Sequence, residues 1–334
     1  MFEFNVIAGS HIKQLLERDP LACIRAVNDA YLAHHDGKAV NPDSYFLRFP
    51  ENRRNRIIAL PASINGDINV AGIKWIASFP DNVGQGIPRA SAVLVLNDQT
   101  TGYPFAVMEA ALISAARTAA SAVLGAWWIN GRQRRAGSIS FIGAGVIARN
   151  IFDMFVADDW VFSSIHVHDT DDASARTLAE HANRRCAAGA VTATLEQALA
   201  ADIVVFATTA GTPYVCPPAR FAPRQIVLNI SLRDIAPELV LDAENIFDDI
   251  DHCMKADTSA HLAEQLCGDR RFATCTLAQL IREEVKLDRS KPAIFSPFGM
   301  GILDLALGKL IHDRAVDTGQ AIPIPDFFAE TRRW

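Results

Sequence analysis

Three small residues, Gly143, Gly145 and Ala148, follow the apolar segment 138–142 with the spacing G-x-G-x-x-A. A glycine at the first position permits a tight turn, and one at the second lets backbone N–H groups approach a pyrophosphate at the start of a helix. The small third residue lets that helix pack closely on a sheet. The pattern predicts a nucleotide-binding turn, whose other members are Ala144, Val146 and Ile147.

Asp169 ends the next apolar segment, residues 165–168. At this place in a βαβ unit, a carboxylate can accept hydrogen bonds from both hydroxyls of a ribose. The same charge repels the 2′-phosphate of NADP, and no arginine follows until Arg176. The pattern thus predicts NAD as the cofactor. A glycine turn beside a solvated aspartate is the alternative interpretation, which the strand, turn and helix around Gly143 disfavour.

Single cations in apolar surroundings are the second chemical pattern. Lys74 has apolar residues on both sides, and Arg117 lies in an alanine-rich helical segment. Buried charges of this kind need an anionic partner. That partner is either an internal acid such as Glu109 or a ligand, and the sequence leaves both open. Further cations in or beside apolar strands are Arg48, Arg56 and Arg89. Several such cations favour a small-molecule substrate with more than one carboxylate, because guanidinium groups bind carboxylates bidentately.

Asp234 follows the apolar segment 227–231. Ligands of doubly wound sheets bind at the C-terminal ends of the strands, so Asp234 is a candidate general base. The alternative interpretation is that Asp234 caps the N-terminus of a helix.

The elements that must position these residues change in character along the chain. A helix is predicted over residues 20–36 and a second one over residues 109–129. Short strands lie between them, at residues 45–49, 56–61, 70–79, 90–97 and 103–108. From residue 138 onward, strands at 138–142, 165–168, 203–208 and 225–230 alternate with helices, which is typical of parallel βαβ units. Further strands are predicted at 245–248 and 293–296, before a final helix near Gly299. We therefore predict an α/β fold with a Rossmann-type doubly wound parallel sheet and a β-rich N-terminal domain.

The composition limits the classes of partner and location. The chain has 334 residues, a net charge of −6 and dispersed basic residues, which argues against nucleic acid as a partner. Its six cysteines are scattered, which is typical of reduced thiols and predicts a cytoplasmic protein. His166 and His168 share one face of a strand without an evident third ligand, so no metal site is predicted. Residues 110–129 have the length of a membrane span, but Arg117 predicts a buried helix and no membrane contact.

Several segments resemble the ornithine cyclodeaminase and mu-crystallin superfamily, and the similarity extends over nearly the whole chain. They are residues 56–61, 72–76, 89–91, 96–98, 107–110, 114–120, 229–231 and 297–300. The resemblance implies a substrate-binding and dimerisation domain of residues 1–120 and 305–334, and an NAD-binding Rossmann domain of residues 121–304. It also implies a homodimer whose N-terminal sheets pair.

Within the superfamily, the chain is most similar to enzymes that oxidise N-((2S)-2-amino-2-carboxyethyl)-L-glutamate with NAD. This resemblance implies oxidative hydrolysis of that secondary amine to 2-oxoglutarate and L-2,3-diaminopropionate, a precursor of siderophores and related natural products. Three carboxylates would then bind to the cations Arg48, Arg56, Lys74, Arg89 and Arg117. Lys74 would also assist proton transfer, with Asp234 as the base. Residues that resemble cofactor contacts are Thr208, Thr209, Ser231, Gly299 and Met300.

Other functions stay open at this point. Ornithine cyclodeaminases carry a longer Asp-Cys-Pro-Gly-Lys type of segment where this chain has residues 234–238, which argues against cyclodeamination. A ketimine reductase or amino-acid dehydrogenase with a smaller substrate fits the fold but leaves several cations without a task. A non-catalytic NAD(P)H-binding protein of the crystallin kind is disfavoured by the presence of Lys74, Arg117 and Asp234.

Overall fold

In the computed structural model, which describes residues 2–333, the chain divides into two units. Among the described residues, the first unit takes the chain up to Arg117 and again from Met300 onward, and the second is Thr118–Gly299. The functional domain limits expected from the resemblance, at residues 120 and 305, stay a prediction.

The first unit is built on a mostly antiparallel sheet. Residues that alternate between its two faces form long strands, as their β-branched and apolar composition predicts. The elements up to the end of the following helix are β1 (Asn5–Ile7), α1 (Gly9–Arg18), α2 (Pro20–His35), β2 (Ala39–Val40), β3 (Tyr45–Phe49), β4 (Asn52–Ile64), β5 (Val70–Ser78), a 3-10 helix (Pro80–Gln85), β6 (Ala90–Asn97), β7 (Pro104–Glu109) and α3 (Ala111–Ile129). Strands β7, β6, β5 and β4 are consecutive neighbours in this sheet, with β3 paired to β4.

The second unit contains the predicted Rossmann-type sheet, which is confirmed. Its elements are β8 (Arg135–Ile142), α4 (Val146–Ala157), β9 (Val161–His168), α5 (Asp172–Arg185), β10 (Gly189–Thr192), α6 (Leu195–Leu199), β11 (Ile203–Phe206), β12 (Ile226–Asn229), α7 (Pro237–Leu241), β13 (Glu244–Phe247), α8 (Ile250–Cys253), α9 (Ser259–Cys267), β14 (Ala273–Thr276), α10 (Leu277–Ile281) and β15 (Ala293–Ser296). The parallel strands are ordered β10-β9-β8-β11-β12-β15-β13-β14. The chain order reverses between β8 and β11, and ligands bind at such a switch point.

The chain then returns to the first unit through α11 (Gly301–Asp317) and β16 (Ile322–Pro323), which pairs with β1. Helix α11 packs on β4, β5 and β6. Gly308 permits this close approach, because a Cβ atom added there would lie 2.2 Å from Cδ2 of Leu94. The helix covers the face of the sheet that carries Lys74.

Helix α3 is long and apolar enough to cross a membrane by length and composition alone. Its mean hydropathy is 1.3, and 67% of the scored window is buried inside the structure. Burial of this extent is typical of the core helix of a soluble protein.

Candidate functional site

The glycine turn at the end of β8 has the geometry that a pyrophosphate requires. Gly143 has a φ of +92°, and a Cβ atom there would lie 2.6 Å from the carbonyl oxygen of Ala207. Helix α4 begins at Val146, with Gly145 as its N-cap. A Cβ atom on Gly145 would meet no atom within 4 Å, so the space in front of the helix N-terminus is open. This turn therefore fits the phosphates of a dinucleotide.

Asp169 ties the glycine turn to the end of β9. Its Oδ2 atom accepts the N–H of Ala144 at 2.7 Å, and its Oδ1 atom accepts the N–H of Asp171 at 2.9 Å. Its Oδ1 atom also accepts the hydroxyl of Thr170 at 3.5 Å, and the side chain is only half-buried, so part of the carboxylate is open to solvent. Asp169 can thus hold the turn and accept ribose hydroxyls, while the N–H of Ala144 is already used. Of the other residues predicted to form the nucleotide-binding turn, Val146 is exposed and Ile147 is half-buried.

Asp234 is fully buried among three hydroxyl groups at the C-terminal ends of β11 and β12. It accepts hydrogen bonds from Thr208 Oγ1 at 2.5 Å, from Tyr214 Oη at 2.9 Å and from Ser231 Oγ. The helix-cap interpretation is wrong, because Ala236 is the N-cap of the next helix. Burial, and next the negative charge of Asp234, raise the pKa of Tyr214 far above its usual value, so its hydroxyl stays protonated.

Tyr214 has no sequence signal, because it lies in an irregular loop. Its neighbourhood nevertheless collects two predicted cofactor contacts, Thr208 and Ser231, around one acid. Thr209 is exposed beside them, and its side chain makes no hydrogen bond to any described residue.

The loop after β15 is held by Asp248, a buried residue that follows β13. The carboxylate of Asp248 accepts the backbone N–H groups of Phe298 at 2.9 Å and Gly299 at 2.7 Å. Gly299 has a φ of +93°, which favours glycine at this position. Met300 is fully buried and is the N-cap of α11. Asp248 was missed from the sequence, although it ends a predicted strand as Asp169 does.

In the first unit, Lys74 and Arg117 meet a buried acid that the sequence interpretation also missed. Lys74 Nζ donates to Asp304 Oδ2 at 2.5 Å and to Ser114 Oγ at 3.2 Å. Arg117 Nε lies 3.4 Å from Asp304 Oδ1. Lys74 and Asp304 expose at most 1% of their side chains. The suggested partner Glu109 is wrong, because its carboxylate accepts the N–H groups of Ala111 and Leu112 at the start of α3.

This cluster contains two cations and one carboxylate, so a positive charge stays without a counter-ion inside it. Arg117 Nε and Asp304 Oδ1 are buried and make no hydrogen bond to any described residue. Burial, opposed by Asp304 and reinforced by Arg117, lowers the pKa of Lys74 from 10.5 to about 8. A group with that pKa can give or take a proton near neutral pH. The cluster can therefore bind a carboxylate and move a proton beside it.

Two further predicted cations share the Lys74 face of the sheet. Arg56 lies directly opposite Ser78 on β5, four residues beyond Lys74, and Arg48 lies opposite Arg56. Arg89 precedes β6, and its Nη1 atom donates to Ser78 Oγ at 2.7 Å. Arg48 is exposed, with its guanidinium 5.2 Å from the centre of the Phe46 ring.

The two histidines on β9 have local partners. His166 Nε2 lies 3.3 Å from Ser164 Oγ, and His168 Nδ1 lies 3.0 Å from the carbonyl oxygen of Ala193. Within residues 2–333, no group of three or more His, Cys, Asp or Glu side chains is arranged to hold a metal ion.

Comparison with known proteins places these features in a family. The sequence profile of the ornithine cyclodeaminase/mu-crystallin family matches residues 6–217. The chain is 29% identical to an N-((2S)-2-amino-2-carboxyethyl)-L-glutamate dehydrogenase from Staphylococcus aureus, with 94% of this chain and 96% of the relative covered. It is 23% identical to an alanine dehydrogenase from Archaeoglobus fulgidus, again with 94% of this chain and 96% of the relative covered.

Solved structures share the fold. A Δ1-pyrroline-2-carboxylate reductase from Thermococcus litoralis, in complex with NADH and L-proline, superposes with a TM-score of 0.86 at 21% identity, covering 96% of this chain and all of that one. An archaeal alanine dehydrogenase dimer with bound NAD superposes with a TM-score of 0.84 at 21% identity, covering 98% of this chain and all of that one.

Proposed function

The chain belongs to the ornithine cyclodeaminase/mu-crystallin family, and on that basis we propose that it is an NAD-dependent oxidoreductase acting on the CH–NH group of an amino acid. Relatives named as dehydrogenases and reductases of amino acids and of a cyclic imine support this reaction class. The glycine turn and Asp169 fit NAD for the reasons given above.

More specifically, we propose that the substrate is a secondary amine with several carboxylates, N-((2S)-2-amino-2-carboxyethyl)-L-glutamate. A hydride leaves the glutamate α-carbon and a proton leaves the nitrogen, which gives an imine. Water then adds its oxygen to that carbon, and its two hydrogens end on the departing nitrogen. The products are 2-oxoglutarate and L-2,3-diaminopropionate, a building block for siderophores or related natural products. The Staphylococcus aureus relative supports this choice.

One observation carries the proposal: the cluster of Lys74, Arg117 and Asp304 is largely buried and keeps an uncompensated positive charge while Lys74 is protonated. A charge buried without a partner costs several kcal/mol, so such a cluster is stable only when something offsets it. The carboxylate next to the reacting carbon supplies that negative charge. A small apolar substrate would leave the cation unpaired.

The residues of the cluster have separate tasks in this proposal. Arg117 binds the carboxylate of the carbon that is oxidised. Lys74 accepts the proton released from the amine, and Asp304 holds its Nζ atom in place. NAD, when bound, accepts the hydride. Asp234, predicted as the general base, has no exposed surface of its own and would exchange protons only through Thr208, Tyr214 or Ser231.

We also propose a cytoplasmic homodimer. On the sheet face opposite Lys74, Tyr45, Trp75 and Val93 lie in one row across β3, β5 and β6. They are 73%, 41% and 43% exposed, which is unusual for large apolar side chains that share one face of a sheet. A second copy of the chain would cover this row. The archaeal alanine dehydrogenase, a dimer, supports the homodimer itself.

The substrate is tested by following NADH formation with NAD⁺ and three candidate amines. We expect NADH with the carboxyethyl-glutamate adduct, and at most slow formation with alanine or ornithine. Conversion of ornithine to proline and ammonia would make the protein a cyclodeaminase instead. Binding of NADH with no turnover of any amine or imine would favour a non-catalytic protein of the crystallin kind.

A further inference from the structure

The cations on the α11-covered face of the sheet form two separate groups. The first is the cluster of Lys74, Arg117 and Asp304. The second surrounds Ser78, whose neighbours are Arg56 on β4 and Arg89 before β6. Lys74 and Ser78 are four residues apart on β5, so their Cα atoms are separated by ~13 Å along the strand. Ile76 lies between them on the same face, so an apolar strip joins the two groups.

Arg89 is paired with a hydroxyl group rather than with an acid. Its guanidinium is partly buried and donates to Ser78 Oγ, a neutral hydroxyl, at 2.7 Å. Among the described residues, no carboxylate lies within 4.0 Å of it. By contrast, Arg54 near the start of β4 pairs with Asp81 of the 3-10 helix. Burial lowers the pKa of Arg89, which reflects the cost of holding this charge away from water without an anion.

We propose that Arg89, held in place by Ser78, is a specificity-determining residue that binds a second carboxylate of the substrate, distant from the reacting carbon. This inference rests on the proposed function for the identity of the substrate, but the site itself is a property of the first unit alone. The Lys74 cluster binds the carboxylate beside the reacting carbon. The Arg89 site then selects amino acids that are long enough, and charged enough, to reach it.

Separation of the two groups implies a preferred ligand length. The ~13 Å joins the Cα atoms of Lys74 and Ser78. Part of this distance is taken up by the Lys74 side chain, by the Arg89 side chain held at Ser78, and by one hydrogen bond at each end. A linear chain with a carboxylate at each end fills the rest. Such a ligand crosses the apolar strip around Ile76 with its methylene groups, which suits a dicarboxylate better than a diamine or a neutral amide.

The test uses calorimetric titration of the whole protein with linear dicarboxylates from succinate to suberate, each matched by the monocarboxylate of the same carbon number. At its best length, the dicarboxylate should bind the unmodified protein about 10- to 100-fold more tightly than the matched monocarboxylate. Arg89→Gln should abolish this preference and leave monocarboxylate binding unchanged. Arg89→Lys should restore part of it, because the charge is kept while the bidentate geometry is lost.

Arg54→Gln is the matched control, since Arg54 is an exposed arginine near the start of β4 and already has an acidic partner. It should keep the full preference. The inference is overturned if Arg89→Gln keeps the preference, or if the unmodified protein shows none at any chain length. Failure of the secondary amine to turn over, with the preference intact, would overturn the proposed function and leave the Arg89 site standing.

Discussion

Lys74 Nζ and Asp304 Oδ2 lie 2.5 Å apart, although 230 residues separate them in the chain. Lys74 comes from the centre of β5 and Asp304 from the first turn of α11, the helix that returns to the first unit. Both side chains are almost entirely buried. Burial lowers the pKa of Lys74 to about 8 against the opposing effect of Asp304, and the pair fixes the ammonium group beside Arg117.

Asp304→Asn should move the pH dependence of the reaction to lower pH. Asp304 raises the pKa of Lys74 against the effect of burial, so its removal lowers that pKa below the present value of about 8. In the oxidation direction Lys74 must be unprotonated, so kcat/KM rises with pH through this pKa. We expect the rise to begin at lower pH in the variant, measured as NADH formation across the pH range.

Asp313→Asn is the control for that profile, because Asp313 lies on the same helix and pairs with Lys309 at 2.6 Å near the surface. Its profile should match that of the unmodified protein. An unchanged profile in Asp304→Asn would show that Lys74 is not the group whose ionisation controls the rate.

The two glycines of the nucleotide-binding turn should respond differently to alanine. Gly143→Ala places a Cβ atom 2.6 Å from a backbone oxygen at a positive φ, so the free energy of unfolding should fall by about 2–4 kcal/mol. Gly145→Ala meets open space, so stability should be kept while NADH affinity falls by about 10-fold or more, because the methyl group occupies the pyrophosphate position. Thermal melts and NADH fluorescence titrations separate the two effects. Equal loss of stability in both variants would contradict this division.

A substitution in the second unit should weaken cofactor binding, whereas a substitution in the first unit should abolish turnover alone. Asp169→Ala should weaken NADH binding by about 10- to 100-fold, because the ribose hydroxyls and the Ala144 N–H lose a charged acceptor. Lys74→Ala should keep NADH affinity and abolish turnover. Both are measured by fluorescence titration and initial rates. Asp172→Asn, at an exposed acid three residues further along, serves as the control for the loss of a negative charge. Equal losses of NADH affinity in the Asp169 and Lys74 variants would be incompatible with these roles.

Trp75→Arg should convert the proposed dimer into monomers. The substitution puts a charge at the centre of the exposed row formed with Tyr45 and Val93, and a buried unpaired charge strongly disfavours an apolar interface. Light scattering after gel filtration measures the mass. Val161→Arg, at a similarly exposed apolar residue of the second unit, should leave the mass unchanged. A monomeric unmodified protein, or a Trp75→Arg variant that stays dimeric, would contradict the proposed interface.

The local parts of the site could be predicted from the sequence. Gly143, Gly145 and Asp169 lie in consecutive elements, so strand, turn and helix patterns place them together without knowledge of the rest of the fold. Lys74 and Arg117 could also be recognised from the sequence, because each is a single charge flanked by apolar residues.

The non-local parts could not be predicted in the same way. The partner of Lys74 comes from α11, and the expected partner Glu109 instead caps α3. Asp304 has apolar neighbours on both sides at the start of α11, as Lys74 has in β5, and that signal was overlooked. Strand β1 was also missed, since its three residues are stabilised by β7 and β16, from distant parts of the chain.

The most direct test of the account is mass spectrometry after reaction of NAD⁺ with carboxyethyl-glutamate that carries deuterium on the glutamate α-carbon. We predict NADH that contains the deuterium, together with equimolar 2-oxoglutarate and L-2,3-diaminopropionate. Unlabelled NADH, deuterium retained in the amine, or the absence of 2-oxoglutarate would contradict oxidation of a secondary amine at that carbon.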